Sequence, residues 1–276
     1  MEMYKVDATT RYLNIMLYGE PGVGKTWLAS TAQNHPKMKN VLFLNVEGGL
    51  TTVASRGDIL AIDIVGIERF KPSPDLPELP PGSSTLEDVF WKLKQKEGAF
   101  ANINTVVIDS GTEVQTLGLE RLAREGKRND KSGRRGEDEL YLEDYGRNTA
   151  QLKRILRWYR DLPIHVIITA LPQFVYPKAA QANTVQEPTE IRPSFTNKLS
   201  VSAMGYVDFV WYIYQDGQGR HILTQEHGKF KAKTRGLRFA DALGQVVDIK
   251  DETNPESTGL DLSDIYSLFL KAEKIK

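Results

Sequence analysis

The sequence predicts an α/β fold with a mainly parallel central sheet flanked by helices and an antiparallel hairpin extension toward the C-terminus. Three observations predict it. Short, wholly apolar runs recur along the chain, helical patterns separate them, and a glycine-rich turn follows the first run. Apolar runs of this length read as strands buried on both faces, and parallel neighbours need the crossover connections that the helices supply.

Residues 13–18 (Leu-Asn-Ile-Met-Leu-Tyr) form the first run, and residues 26–32 behind the glycine-rich turn read as a helix. Residues 41–46 and 105–109 are two more buried-type strands, with a helix expected over residues 85–97 between them. A long helical stretch from about Leu142 to Tyr159 leads into a fourth strand, residues 165–170. Beyond it the pattern changes. Residues 207–214, the turn Asp216-Gly217-Gln218-Gly219 and residues 220–224 read as a hairpin, so the sheet is expected to be mixed. A terminal amphipathic helix is expected over residues 260–271. Three stretches read as irregular: residues 71–84, which carry Pro72, Pro74, Pro77, Pro80 and Pro81; the charged residues 126–139; and residues 173–194, with three prolines among polar residues.

A length of 276 residues suits one main domain, here residues 1–276, with a core over about 12–235 and a helical tail over about 255–276. With 40% hydrophobic and 26% charged residues, and no apolar run near the roughly 18 residues of a membrane span, the composition is that of a soluble globular protein with no membrane partner. No secretory pattern opens the chain and there is no cysteine, so disulfides and thiolate metal sites are excluded and a cytoplasmic location is expected. Lys+Arg and Asp+Glu both total 36, so a polyanion would have to be met by a local patch.

The turn itself carries the strongest chemical signal. Gly19-Glu20-Pro21-Gly22-Val23-Gly24-Lys25-Thr26 satisfies G-x-x-x-x-G-K-[ST] between a strand and a helix, the context that pattern requires. Its glycines let backbone N–H groups turn toward phosphate oxygens, and the following helix adds the positive end of its dipole. Lys25 is expected to reach the β- and γ-phosphates of ATP, and the Thr26 hydroxyl to face Mg²⁺, a hard ion that takes oxygen ligands. Asp109, closing the strand 105–109, is the expected second oxygen for Mg²⁺; a helix cap is the bland alternative for such an aspartate.

Several further segments resemble one family. Phe43-Leu44-Asn45-Val46-Glu47-Gly48-Gly49 is similar to the strand of RecA and RadA recombinases that ends in a catalytic glutamate, and Val107-Ile108-Asp109-Ser110 to their magnesium strand. Lys233-Thr234-Arg235 resembles the paired basic residues that reach the nucleotide of a neighbouring subunit in RecA filaments. Across residues 12–235 the chain looks like the short RecA-like core ATPases of bacteriophages, which include single-strand annealing and recombination proteins. The resemblance implies ATP hydrolysis with Glu47 activating water, a homo-oligomer, single-stranded DNA and a phage single-strand binding protein as partners, and the cytoplasm of a bacterial host. At the position after the fourth strand this chain reads Thr169-Ala170-Leu171-Pro172-Gln173, where RecA has an Asn-Gln pair, so Thr169 and Gln173 both stand as the residue coupling ATP to DNA. For Glu47 the alternative is a solvated loop carboxylate, and for Lys233 and Arg235 a solvated basic strand, since Lys229, Lys231, Lys233 and Arg235 alternate at strand period.

Residues 126–135 hold five basic side chains, Lys127, Arg128, Lys131, Arg134 and Arg135, against one acid, and their place between the strand ending at Asp109 and the next helix resembles that of the first DNA-binding loop in RecA. Such a loop can neutralise phosphates, or it is a mobile charged loop balanced by Glu137-Asp138-Glu139. Residues 173–198, with Phe174, Tyr176, Lys178, Arg192, Phe195 and Lys198, mix rings and cations as single-strand binders do. The four histidines show no ligand spacing, and Trp91, Trp158 and Trp211 sit on apolar faces and read as core. Three functions compete with DNA recombination: an AAA-type helicase loader or protein remodeller, a small-molecule kinase, and a nucleotide-gated binding module with little turnover. A GTPase is disfavoured, because Asn197-Lys198-Leu199-Ser200 lacks the aspartate that would pair with a guanine edge.

Overall fold

The computed structural model describes residues 12–69, 79–130, 133, 136, 138–177, 187–251, 253–254 and 256–274. In chain order the elements are β1 (Asn14–Tyr18), α1 (Lys25–Ser30), β2 (Val41–Asn45), β3 (Leu60–Ile64), β4 (Ser83–Ser84), α2 (Leu86–Gln95), β5 (Thr105–Asp109), α3 (Gly111–Asn129), α4 (Leu142–Arg160) and β6 (His165–Ala170). There follow β7 (Pro172–Val175), β8 (Glu190–Pro193), α5 (Asn197–Tyr206), β9 (Phe209–Asp216), β10 (Gly219–Leu223), β11 (Lys233–Thr234), α6 (Leu237–Leu243), β12 (Val246–Asp248) and α7 (Leu262–Ala272).

The sheet runs β12-β10-β9-β1-β6-β5-β2-β3-β4, with β11 also paired to β9. From β9 to β4 every neighbouring pair is parallel, while β10 and β11 are antiparallel to β9 and β12 is antiparallel to β10. The mixed α/β sheet with its antiparallel hairpin is therefore the fold the sequence predicts. β1, β2, β5 and β6 are apolar on both faces because helices cover both faces, and their period-2 alternation divides the core. Met16, Tyr18, Ile108 and Ile168 pack under α2, α4 and α5. Ile15, Leu17, Val107 and Ile167 pack on the other face, with Leu28 of α1, Phe239 of α6 and Ile265 and Phe269 of α7.

α7 is held by its own capping box, in which Asp261 and Asp264 exchange backbone and side-chain bonds, and by the Leu262 N–H donating to Thr31 Oγ1 at 2.9 Å. The terminal helix thus docks against the C-terminal end of α1.

The irregular readings need correction. Residues 126–129 continue α3, since a helix with a buried apolar stripe (Val114, Leu122, Ala123) tolerates a polar final turn. Residues 173–194 are bounded by an antiparallel ribbon, β7 with β8, in which Pro172 faces Pro193 at the ribbon's end, where a missing donor costs least. Ser83 and Ser84 form the edge strand β4; residues 70–78, with Pro72, Pro74 and Pro77, lie outside the described residues. β3 went unpredicted because it lies near the sheet's edge, with Leu60 half exposed, and lacks a buried run's signature. Among the described residues no helix is long and apolar enough to cross a membrane.

Candidate functional site

β1, β6, β5 and β2 finish level with one another, as the pairings Tyr18↔Ala170, Ile108↔Ile168 and Asn45↔Asp109 require. The carboxyl ends of parallel strands in such sheets are where ligands gather, and here four loops open side by side. The first is the glycine-rich turn. Gly19 passes so close to β9 that an added Cβ would stand 2.2 Å from the Ile213 carbonyl oxygen, so no side chain fits. Gly24 has φ of +98°, a left-handed value that glycine adopts freely, and from it α1 begins at Lys25.

Lys25 is nearly buried, and its ammonium donates to the carbonyls of Gly19 and Glu20, both at 2.9 Å. It therefore closes the loop upon itself. Burial lowers its pKa, while the carboxylates of Glu47, Asp109 and Glu20 act in the opposite direction. Those three acids thus share the ammonium's field.

The next residue, Thr26, donates its hydroxyl to Asp109 Oδ2 at 2.8 Å, and Thr169 donates its hydroxyl to Asp109 Oδ1. Thr169 can do so because β6 lies between β1 and β5, and the register sets it beside the end of β5. Asp109 is buried and is held from both sides by hydroxyls, Thr26 at the start of α1 and Thr169 near the end of β6. This is not a helix cap in the bland sense: the cap of α3 is Ser110, whose Oγ accepts from the Glu113 N–H at 3.4 Å. Thr26 Oγ1 and Asp109 Oδ2 form an adjacent pair of hard oxygens, a donor set that fits Mg²⁺ completed by water and phosphate oxygens. Among the described residues no group of three or more His, Cys, Asp or Glu could hold a metal ion.

Glu47 lies just past β2, exposed, with its N–H donating to the Asp109 carbonyl at 3.2 Å. Asn45 shapes this turn: its Oδ1 accepts from the Gly48 N–H at 3.0 Å and its Nδ2 donates to Asp63 Oδ1 at 2.6 Å. Sequence reading missed Asn45, although an asparagine ahead of Glu-Gly-Gly is a turn signal with a known mechanism. Arg220 was missed too. Its guanidinium carbon stands 5.2 Å from the Trp27 ring centroid, and its Nη1 would lie 2.8 Å from a Cβ on Gly24. Only the folded hairpin β9–β10 brings it there.

The other expected residues lie elsewhere. Gln173 sits on β7 and accepts from Arg192 Nε of β8 at 3.2 Å, at the base of the ribbon rather than in the Asp109 group. Lys233 and Arg235 flank the amino end of β9, level with Val210 and Asp208, whereas the phosphate loop follows the carboxyl end of β1. Lys233 donates to the Met204 carbonyl at 2.5 Å with its pKa lowered by burial, and Arg235 pairs with Asp208 at 2.6 Å. Their reach is therefore away from the chain's own loop. Lys127 is exposed in the last turn of α3 and Arg128 follows it on the helix; Lys131, Arg134, Arg135 and Lys178 lie outside the described residues.

The ribbon is tied to the site. Thr112, three residues past Asp109, donates to the Ser194 carbonyl at 3.2 Å and accepts from the Leu171 N–H at 3.0 Å. Tyr18, the last residue of β1, points its hydroxyl at the carbonyls of Ile191 (3.1 Å) and Lys231 (2.6 Å), and burial pushes its pKa up. At the ribbon's outer side Phe174 and Tyr176 are exposed.

The AAA domain family matches residues 11–236 of the sequence. Among solved structures, the RadB recombinase is similar with 15% identity and a TM-score of 0.38, the match covering 82% of each chain. The flagellar accessory protein FlaH from Methanocaldococcus jannaschii is similar with 12% identity and a TM-score of 0.36, over 87% of each chain. No curated protein sequence matches.

Proposed function

Because this chain belongs to the AAA domain family, we propose that it binds ATP with Mg²⁺, hydrolyses it, and couples the hydrolysis to single-stranded DNA in recombination or annealing. The observation that carries the ATPase part is the hydroxyl–carboxylate–hydroxyl chain Thr26–Asp109–Thr169, set beside a lysine that closes the glycine-rich loop within the field of Glu47.

In this reading the loop's backbone N–H groups and Lys25 hold the phosphates, Lys25 exchanging its carbonyl partners for β- and γ-oxygens. Thr26 and Asp109 would hold Mg²⁺, which supplies neutralisation of the charge on the β- and γ-oxygens. Glu47 orients a water and takes its proton as the water oxygen bonds to the γ-phosphorus and the bond to the bridging oxygen breaks, releasing ADP and phosphate. Thr169 holds Asp109 in place. The turn of Asn45 and Gly48 fixes where Glu47 starts.

The DNA part is supported by the ribbon β7–β8. It rises from the same end of the sheet, offers Phe174 and Tyr176 to stacking bases, and is hydrogen-bonded through Thr112 to the segment that follows Asp109. Lys127 and the basic residues after it would add phosphate contacts. Lys233 and Arg235, turned from their own loop, would meet a nucleotide only on another copy of the chain, which is consistent with a homo-oligomer. A single-strand binding protein and a phage setting in a bacterial cytoplasm belong to the same reading.

The test is steady-state ATP hydrolysis with and without single-stranded DNA at two salt concentrations, for the wild type and a Phe174→Ala/Tyr176→Ala variant. The proposal expects stimulation that fades with salt and is lost in the variant. Turnover indifferent to DNA in both proteins would overturn the DNA part and favour a remodeller acting on protein.

A further inference from the structure

Between the last turn of α5 and the segment that leads into β11 lies a cavity of about 260 Å³, whose lining includes Met204, Gly205, Val210, Glu226, Lys231 and Lys233. Pockets for drug-sized ligands begin at about 300 Å³, so this one suits a molecule of a few heavy atoms. Its two lysines have opposite surroundings. Lys231 Nζ donates to Glu226 Oε1 at 2.6 Å, and that carboxylate raises its pKa. Lys233 Nζ donates instead to an uncharged acceptor, the Met204 carbonyl at 2.5 Å, one of the last-turn carbonyls that α5 itself leaves without a partner. Burial lowers the Lys233 pKa, the Arg235 guanidinium lowers it further, and Asp208, already paired with Arg235, acts the other way.

We propose that Lys233 is a modification site: a small acyl phosphate enters this cavity, and Lys233 Nζ takes its acyl group. The difference in partners is what selects Lys233. An amine that has lost its proton still donates an N–H to the Met204 carbonyl and keeps a lone pair for attack, whereas Lys231 must first give up a proton that its carboxylate partner holds in place. In the step itself the Nζ lone pair bonds to the acyl carbon and the bond from that carbon to the phosphate oxygen breaks. Inorganic phosphate leaves with the proton that the amine sheds, and the lysine becomes a neutral amide.

The cavity's size sets the class of donor. An acyl phosphate releases a single phosphate and fits, while a donor with a nucleotide-sized leaving group does not. Met204 and Val210 offer the acyl chain apolar contact. Acylation would remove the charge that the reading above gives Lys233 toward another copy's nucleotide, but the inference stands on the cavity and its two lysines and needs no part of that reading.

The experiment incubates the full chain with acetyl phosphate and follows the acetylation of each lysine over time by peptide mass spectrometry, with fragment ions separating Lys231 from Lys233. Lys233 should react at least about threefold faster than Lys231 and than the exposed Lys39, Lys96 and Lys198. Gly205→Leu places a side chain at a lining position where an added Cβ meets nothing within 4 Å, and it should bring Lys233 down to the rate of the exposed lysines while leaving theirs unchanged. A smaller ratio in the wild type, or an undiminished rate at Lys233 in the variant, would overturn the proposal. If the variant misfolds, so that the rates at Lys39 and Lys96 change as well, the wild-type ratio alone decides.

Discussion

The two ends of the central strands make an instructive comparison. At the carboxyl ends, Thr26 and Thr169, from different strands or their loops, hydrogen-bond to the two oxygens of Asp109, whose charge the nearby Lys25 ammonium also feels. At the amino ends, polar groups are held pairwise: Arg235 by Asp208, Lys233 by the Met204 carbonyl, and His165 by the Leu13 N–H, which it accepts at 3.0 Å. A convergent set can act on a ligand, while pairwise partners mainly hold the fold. Spacing along the chain did not reveal this difference, because it shows which residue types recur and not which of them meet.

Substitutions at the two ends should therefore differ in kind. The largest effect is expected from Glu47→Gln, which should lower kcat for ATP by roughly 10²-fold or more while leaving ATP binding intact. Unchanged turnover would return Glu47 to the solvated loop.

At the other end, the largest effect should be on stability and pH. His165 is buried, and burial pushes its pKa down to about 4 from an ordinary 6.5. The folded state thus binds fewer protons than the unfolded state between those values, so the contribution is complete above pH 6.5 and is lost as pH falls toward 4. Between pH 7 and pH 4.5, denaturant unfolding of the wild type should lose roughly 2 to 3 kcal/mol through this residue, and His165→Gln should flatten that part of the slope. An identical slope in the variant would remove His165 from the account.

Thr169→Val comes next. It takes a hydroxyl from Asp109 but leaves Thr26 in place, so kcat should fall roughly tenfold with KM for ATP little changed, the mark of lost positioning. Smallest is Arg235→Ala, which breaks an exposed ion pair and should cost under about 1 kcal/mol in unfolding measurements. A loss of ATP turnover in Arg235→Ala, dependent on protein concentration, would instead mark a contact with another copy's nucleotide.

Local patterns were legible from the sequence and juxtapositions were not. The glycine-rich turn declares itself because each residue type is required at its own place, and β1, β2, β5 and β6 declare themselves because burial on both faces leaves uninterrupted apolar runs. Asp109 was readable as a strand end. That Thr169 would bond to it was not, because this depends on β6 being inserted between β1 and β5, a choice made by the whole sheet. Asn45 looked like a strand residue until its side chain closed the Gly48 turn. Arg220 reaches Gly24 only because β10 doubles back along β9, nearly 200 residues after the loop it covers in sequence. The ribbon β7–β8 was hidden by its prolines, which lie at its ends where strand pairing tolerates them.

The central claim is that the carboxyl-end cluster is a magnesium-dependent ATP-hydrolysing site. It is tested most directly by measuring ATP turnover of the wild type and of Lys25→Ala, each shown folded by the same unfolding transition. The account predicts turnover that requires Mg²⁺ in the wild type and a fall of roughly 10²-fold or more in the variant. Equal turnover in the two folded proteins would contradict it.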